Sequence, residues 1–199
     1  MSKHVLVIST SPRKGGNSDT LADQFVRGVQ EVGNQAEKVT LYDKTIGFCK
    51  GCLACQTTQR CVIHDDAETI AQKMLTADVI AFATPIYYYG MCGQMKTMLD
   101  RANPLFPADY QFRDIYLLAA AAEEEEHTVD GAVTGLQGWI DCFEKARLAG
   151  IVFAGDVTTV GEIQNHPALK QAYELAAEKG IEAEFIPADL GDVHPNTVH

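Results

Sequence analysis

The 199-residue chain has no apolar run approaching the roughly 20 residues that cross a bilayer as a helix. Its opening, MSKHVLVIST, holds an apolar run too short for a signal peptide, and polar SPRKGGNSD follows without a cleavage-like region. A cytoplasmic protein with no membrane partner is the expectation. Basic residues are scarce: 16 Lys and Arg stand against 27 Asp and Glu, a formal charge of −11. Such a surface repels phosphate backbones and anionic lipid, which sets nucleic acid aside as a partner. There is no repeat and no low-complexity linker, so a single domain over 1–199 with a sizeable core is expected. No Ser/His/Asp or Cys/His nucleophile set can be argued from residue order.

What is present is cysteine. Four of the six fall within thirteen residues, in CKGCLACQTTQRC from Cys49 to Cys61. Cytoplasmic thiols stay reduced, so metal ligation or redox chemistry stands ahead of a disulfide framework. Three thiolates at x2 spacing can wrap one face of a compact cluster, and a fourth can close it, as in ferredoxin-type ligation. Structural zinc sites more often use two separated C-x2-4-C pairs. The compact triplet tilts toward [4Fe–4S], with zinc and metal-free or redox-active thiols left open. Cys92 and Cys142 lie outside the pattern and read as small buried or half-buried residues.

Short apolar runs alternate with helical stretches. Strands are expected at HVLVIST (His4–Thr10), QAEKVTLY (Gln35–Tyr42), DVIAFATP (Asp78–Pro85), DIYLLAAAA (Asp114–Ala122) and AGIVFAGD (Ala149–Asp156). Helices are expected over Asn17–Gly33 with Asn17 or Ser18 as N-cap, Asp65–Ala77, Cys92–Ala102, about Val129 to Arg147, and from Pro167 to before Gly180. Strands this continuously apolar belong to a parallel sheet covered on both faces, which makes an α/β three-layer domain with five strands. The tail Ile181–His199 reads as irregular. The connection 43–65 is too long for an ordinary βα loop, and it leaves the carboxyl end of the second strand, where open α/β sheets bind ligands.

Two more loops reach that rim. STSPRKGGNSDT (Ser9–Thr20) offers hydroxyls, Arg13, two glycines and a helix N-terminus, the chemistry a phosphate monoester wants. It fits neither G-x-G-x-x-G nor G-x-x-x-x-G-K-[ST]. A polar turn with an N-cap is the plainer alternative. TPIYYYGMCGQMKTMLDR (Thr84–Arg101) carries three adjacent tyrosines, which cannot all face one core. They suit a flat heteroaromatic ring or a subunit interface. The run Glu123–Glu126 reads as a solvated segment at the same rim, His127 and His166 as surface or capping residues, and Glu144–Lys145 as an exposed helical pair.

Taken together, TSPRKGGNS, the cysteines C-x2-C-x2-C-x5-C and PIYYYGMCGQMKTMLDR resemble the flavodoxin-like NAD(P)H-dependent FMN reductases, and within them the iron–sulfur flavoprotein branch. GEIQNHPALKQAYELA is similar to that family's C-terminal region. The resemblance implies a flavodoxin-like fold with strand order 2-1-3-4-5 and non-covalently bound FMN. It implies Ser9, Ser11, Arg13, Gly16, Asn17 and Ser18 at the 5′-phosphate. It places Pro85, Ile86, Tyr87, Tyr88 and Gly90 along the isoalloxazine, and Cys49, Cys52, Cys55 and Cys61 at a [4Fe–4S] cluster relaying electrons. NAD(P)H would be a transient donor, with flavin N5 carrying the hydride and no catalytic side chain. A small-molecule or protein electron donor or acceptor and a homodimer or homotetramer follow from the same likeness. Thr10 departs from the family, which often has glycine there, and AAAAEEEEHT matches no family motif.

Overall fold

A computed structural model of the chain describes residues 2–178. The expectations for Gly180 and for Ile181–His199 lie outside the described residues. Among the described residues five parallel strands form the sheet: β1 (His4–Ser9), β2 (Gln35–Thr40), β3 (Val79–Tyr87), β5 (Asp114–Ala120) and β6 (Arg147–Ala154), in the order β2-β1-β3-β5-β6. A two-residue strand, β4 (Gly90–Met91), folds back antiparallel on the end of β3. Setting β4 aside, the expected order 2-1-3-4-5 is the one found. Among the described residues six α-helices accompany the strands: α1 (Asn17–Glu31), α2 (Cys55–Thr58), α3 (Asp66–Thr76), α4 (Gly93–Arg101), α5 (Asp130–Ile140) and α6 (Pro167–Glu178). Among the described residues no helix is long and apolar enough to cross a membrane.

The central strands are buried on both faces because alternate residues serve two cores. Leu6, Ile8, Ile80, Phe82, Ile115 and Leu117 meet Ile70, Met74, Met95, Met98 and Leu136 from α3, α4 and α5. Val5, Val7, Val79, Ala81, Tyr116 and Leu118 meet Leu21, Phe25, Val29, Ala168 and Ala172 from α1 and α6. Register places Ser9 beside Ala83 and Pro85 beside Ala120, so the loops after β1, β3 and β5 leave the same edge.

Several boundaries differ from expectation. The helix expected to Arg147 ends at Ile140; turns follow, closed by Phe143 N–H on Ile140 O and Ala146 N–H on Phe143 O, and β6 already begins at Arg147. Glu144 and Lys145 are exposed in those turns rather than on a helix. Cys142 is exposed in the same turns, not buried, whereas Cys92 is fully buried. α1 is capped by Gly16, not by Asn17 or Ser18, which already lie inside the helix. β3 runs through Pro85 to Tyr87 because β4 pairs with its last residues. α2 interrupts the long connection 43–65; a helix of one turn leaves no periodic signature in the sequence. His166 is a capping residue as expected: its Nδ1 accepts the Ala168 N–H at the start of α6.

α1 and α6 approach backbone to backbone at Gly28, where an added Cβ would lie 2.2 Å from the Tyr173 carbonyl oxygen. Because that neighbour is main chain, the helices must part. Gly28→Ala is expected to destabilise the fold by about 1–3 kcal/mol, read as a lower urea midpoint with unchanged slope.

Candidate functional site

Beyond Ser9 the chain leaves the sheet and turns into α1. Ser9 and Ser18 are fully buried, and neither hydroxyl has a hydrogen-bond partner among the described residues. Side chains do not cap α1, so its first N–H groups remain open donors at the positive end of the helix dipole. Ser11 does local work: its hydroxyl donates to the Arg13 carbonyl at 2.9 Å and accepts the Arg13 N–H at 3.2 Å. Gly16 is required by that turn, since a Cβ there would sit 2.5 Å from Ser11 Oγ. Arg13 is exposed at the loop tip. Asn17 donates Nδ2–H to the Thr159 carbonyl at 3.1 Å and leaves Oδ1 buried without a partner. Thr10 turns its side chain away from the loop, its hydroxyl donating to Ala83 O at 2.9 Å. The segment after β6 thus forms a further wall. Glu162 accepts the Thr158 and Thr159 N–H groups, and these bonds hold its carboxyl below the usual range.

The tyrosine segment is a two-residue hairpin. Tyr87 pairs with Gly90, and Tyr88 and Tyr89 occupy the turn with φ of 50° and 62°. Such turns normally take Asn-Gly, because both central residues need positive φ. Two bulky residues there carry strain of roughly 1 kcal/mol or more each. All three rings are exposed, Tyr88 completely at 103%. Pro85 and Ile86 sit buried in β3 beneath the turn. The start of α5 backs it closely: a Cβ on Gly131 would lie 2.3 Å from the Tyr89 carbonyl oxygen.

The cysteine loop forms a second site at the C-terminal end of α4. Cys49, Cys52, Cys55 and Cys61 line one cavity of about 440 Å³ with Leu99, Asn103, Phe106, Trp139 and Phe143. Cys142 joins them there, a fifth thiol that spacing could not place. Three of the loop sulfurs accept N–H donors: Cys49 from Gly51 at 3.4 Å, Cys55 from Asn103 Nδ2 at 3.1 Å, and Cys61 from Ile63 at 3.5 Å. The donor set suits a metal centre in its chemistry. Its placement does not: among the described residues no three His, Cys, Asp or Glu side chains converge closely enough to hold a metal ion.

Residues that the sequence reading did not single out hold this loop. Arg101, its side chain fully buried at the end of α4, donates Nη1–H to Asp65 Oδ2 at 2.7 Å and Nη2–H to Asp65 Oδ1 at 2.9 Å. The same guanidinium donates to the carbonyls of Gly47 and Ile63, on either side of the cysteines. Asp65 also accepts the Gly47 N–H and, as N-cap of α3, the Ala67 N–H. Burial pushes the Asp65 carboxyl up, and the hydrogen bonds from Arg101, Gly47 and Ala67 more than offset it, so it lies below its ordinary value. The signal for Arg101 was the DR closing the third motif; for Asp65 it was the capping position.

An open parallel sheet in flavodoxin-like order, with its loops gathered on the carboxyl rim, defines the class of protein. Residues 4–143 match the model of a family described as NADPH-dependent FMN reductase. The chain belongs to that family. It is 38% identical over 101 residues to an iron–sulfur flavoprotein of Methanocaldococcus jannaschii, covering 51% of this chain and 52% of that one. The chain therefore spans about half the length of that relative. A Methanosarcina thermophila iron–sulfur flavoprotein is 26% identical, covering 81% and 82% of the two chains. Among solved structures, an azoreductase from Bacillus anthracis superposes with a TM-score of 0.67 at 16% identity, covering 89% of this chain and all of that one.

Removing one partner of the Asp65–Arg101 pair strands a buried charge. Asp65→Asn is expected to cost about 3–5 kcal/mol in thermal or urea unfolding. Because the folded carboxyl is depressed, its stabilisation is present above the unfolded value of about 4 and is lost as pH falls through the lower folded value. The parent should therefore lose stability relative to Asp65→Asn on acidification below about pH 4, measured as the difference in Tm between the two across pH.

Proposed function

We propose that the chain is an FMN-binding oxidoreductase that uses NAD(P)H. The observation that carries this is the buried, unpartnered hydroxyl of Ser18 in the first turn of α1, whose N-terminus has no side-chain cap, together with that of Ser9 at the end of β1, on the same rim as the tyrosine hairpin. Buried polar atoms are ordinarily satisfied, so two open hydroxyls beside open N–H groups suit an anion with several oxygens. Arg13 would add a charge-assisted contact from the loop tip. In this reading Ser9, Arg13, Ser18 and the backbone from Gly16 hold the 5′-phosphate. Ser11 and Asn17 shape the cradle through the bonds described above. Pro85, Ile86, Tyr87, Tyr88 and Gly90 form the wall beside the ring. When bound, FMN accepts a hydride at N5 and returns electrons singly or in pairs, so no side-chain nucleophile is required. The chain's part is to anchor the phosphate, orient the ring and leave one face open to the nicotinamide. The exposed tyrosines also support a homodimer or homotetramer whose subunits meet near this rim.

The finer reading assigns Cys49, Cys52, Cys55 and Cys61 to a [4Fe–4S] cluster. Their spacing, their common cavity and the names of the relatives support it. The sulfurs must draw together to take it, which the exposed positions of Cys49 and Cys52 allow.

Two measurements test these readings. Arg13→Ala should weaken FMN binding by about tenfold to a hundredfold, the worth of a charged hydrogen bond, in a fluorescence titration of the apoprotein. Riboflavin, which lacks the phosphate, should bind the variant as it binds the parent; unchanged FMN affinity would displace the phosphate from this loop. Protein prepared without oxygen should contain about four iron and four sulfide per chain. Yellow, iron-free protein would instead mean a cluster-free flavin or quinone reductase, and colourless zinc-bearing protein a metal-stabilised binding domain.

A further inference from the structure

Between the two proposed FMN-binding loops lies a closed set of buried polar contacts. Thr10, Thr84 and Cys92 each have no exposed surface. The Thr10 N–H and hydroxyl both donate to the Ala83 carbonyl, at 2.8 and 2.9 Å. The hydroxyl proton is thereby used. The Cys92 thiol is left as the donor to Thr10, 3.2 Å from Oγ1 and 3.3 Å from the carbonyl oxygen. The Cys92 N–H donates to Thr84 Oγ1 at 3.2 Å, and that hydroxyl donates to the Pro85 carbonyl at 3.0 Å. One cysteine at the N-cap of α4 therefore ties the first residue beyond β1 to the strand end that leads into the tyrosine hairpin.

The consequence lies in the peptide joining Thr10 to Ser11. In a planar trans peptide the C=O and the N–H point in opposite directions. The Cys92 thiol draws the Thr10 carbonyl toward the buried start of α4. The Ser11 N–H must then point the other way, and it has no acceptor among the described residues. Burial makes this arrangement stiff, because a rotated peptide would strand the carbonyl without a partner.

We propose that Cys92 and Thr10 are positioning residues that pre-orient the Ser11 N–H as a donor to the flavin phosphate and hold the loop in register with the tyrosine hairpin. This rests on the FMN reading above. It assigns to Cys92 a role distinct from that proposed for the four loop cysteines: it acts through a thiol proton and binds no metal.

The test is a titration of apoprotein with FMN and with riboflavin, using Cys92→Ala, Cys92→Ser, Thr10→Val and the double variant Thr10→Val/Cys92→Ala. Cys92→Ala should weaken FMN by about tenfold, the scale of one lost hydrogen bond, and riboflavin by less than about twofold. Cys92→Ser keeps a donor and should restore FMN affinity to within about twofold of the parent. The double variant should bind no more weakly than the weaker single one, because both disrupt the same unit. Equal losses for FMN and riboflavin would mean general loosening and would overturn the proposal. So would unchanged FMN affinity in Cys92→Ala, failure of serine to rescue, or additive losses. A parent that binds no FMN at all would instead remove the cofactor reading beneath it. If Thr10→Val does not fold, the alanine and serine variants at Cys92 decide the matter alone.

Discussion

The ion pair between Asp65 and Arg101 is the constraint on which the cysteine side of the molecule depends. A guanidinium with no exposed side-chain surface is tolerable only when its charge is countered and most of its donors are met; one carboxylate and two carbonyls do this for Nη1 and Nη2, and Nε is left without a hydrogen-bond partner among the described residues. Those carbonyls belong to Gly47 and Ile63, so the pair closes the ends of the cysteine loop as a clasp. Asp65 at the same time caps α3, which fixes where the loop stops and the next layer begins. Between these anchors the chain carries little packing of its own: Phe48 and Leu53 are exposed, and Leu53 and Gln59 take left-handed backbone angles.

The same helix serves both sites. α4 starts from its N-cap Cys92, within the buried network beneath the Ser9–Thr20 loop and the tyrosine hairpin, and ends at Arg101, in the clasp of the cysteine loop. Nine helical residues span about 13 Å. Its inner face, through Met95, Met98 and Leu99, is packed into the sheet, so neither end can shift alone. Asn103, just beyond, donates to the buried Cys55, extending the connection to a sulfur. The proposed flavin site and the cysteine cavity are thus placed relative to each other by one short, well-buried strut.

Much of this was readable from residues alone, for reasons that can be stated. β1 and β5 are apolar without interruption because helices cover both faces, and that pattern survives any detail of packing. The rim position of the three loops follows from parallel connectivity. The misreadings share a cause: they concern short-range competition that composition does not resolve. The residues Asp141–Ala146 have helical character but form turns, and α1 starts at Asn17 because Gly16 supplies the extended cap. Cys142 was assigned to packing because nothing in its neighbours announces a cavity whose other wall lies some eighty residues earlier.

The sequence by itself determined the fold class, the strand order implied by its family likeness, and the three segments that gather on one edge, since these rest on periodicity and on local chemistry that each segment carries within itself. Only the tertiary structure decided which hydroxyls are left without a partner, which thiols share a cavity, and which partners Asp65, Arg101 and Cys92 hold. Those are properties of pairs far apart in the chain. Hydrogen bonds and burial depend on distance in space, and the spacing of residues along a sequence does not encode it.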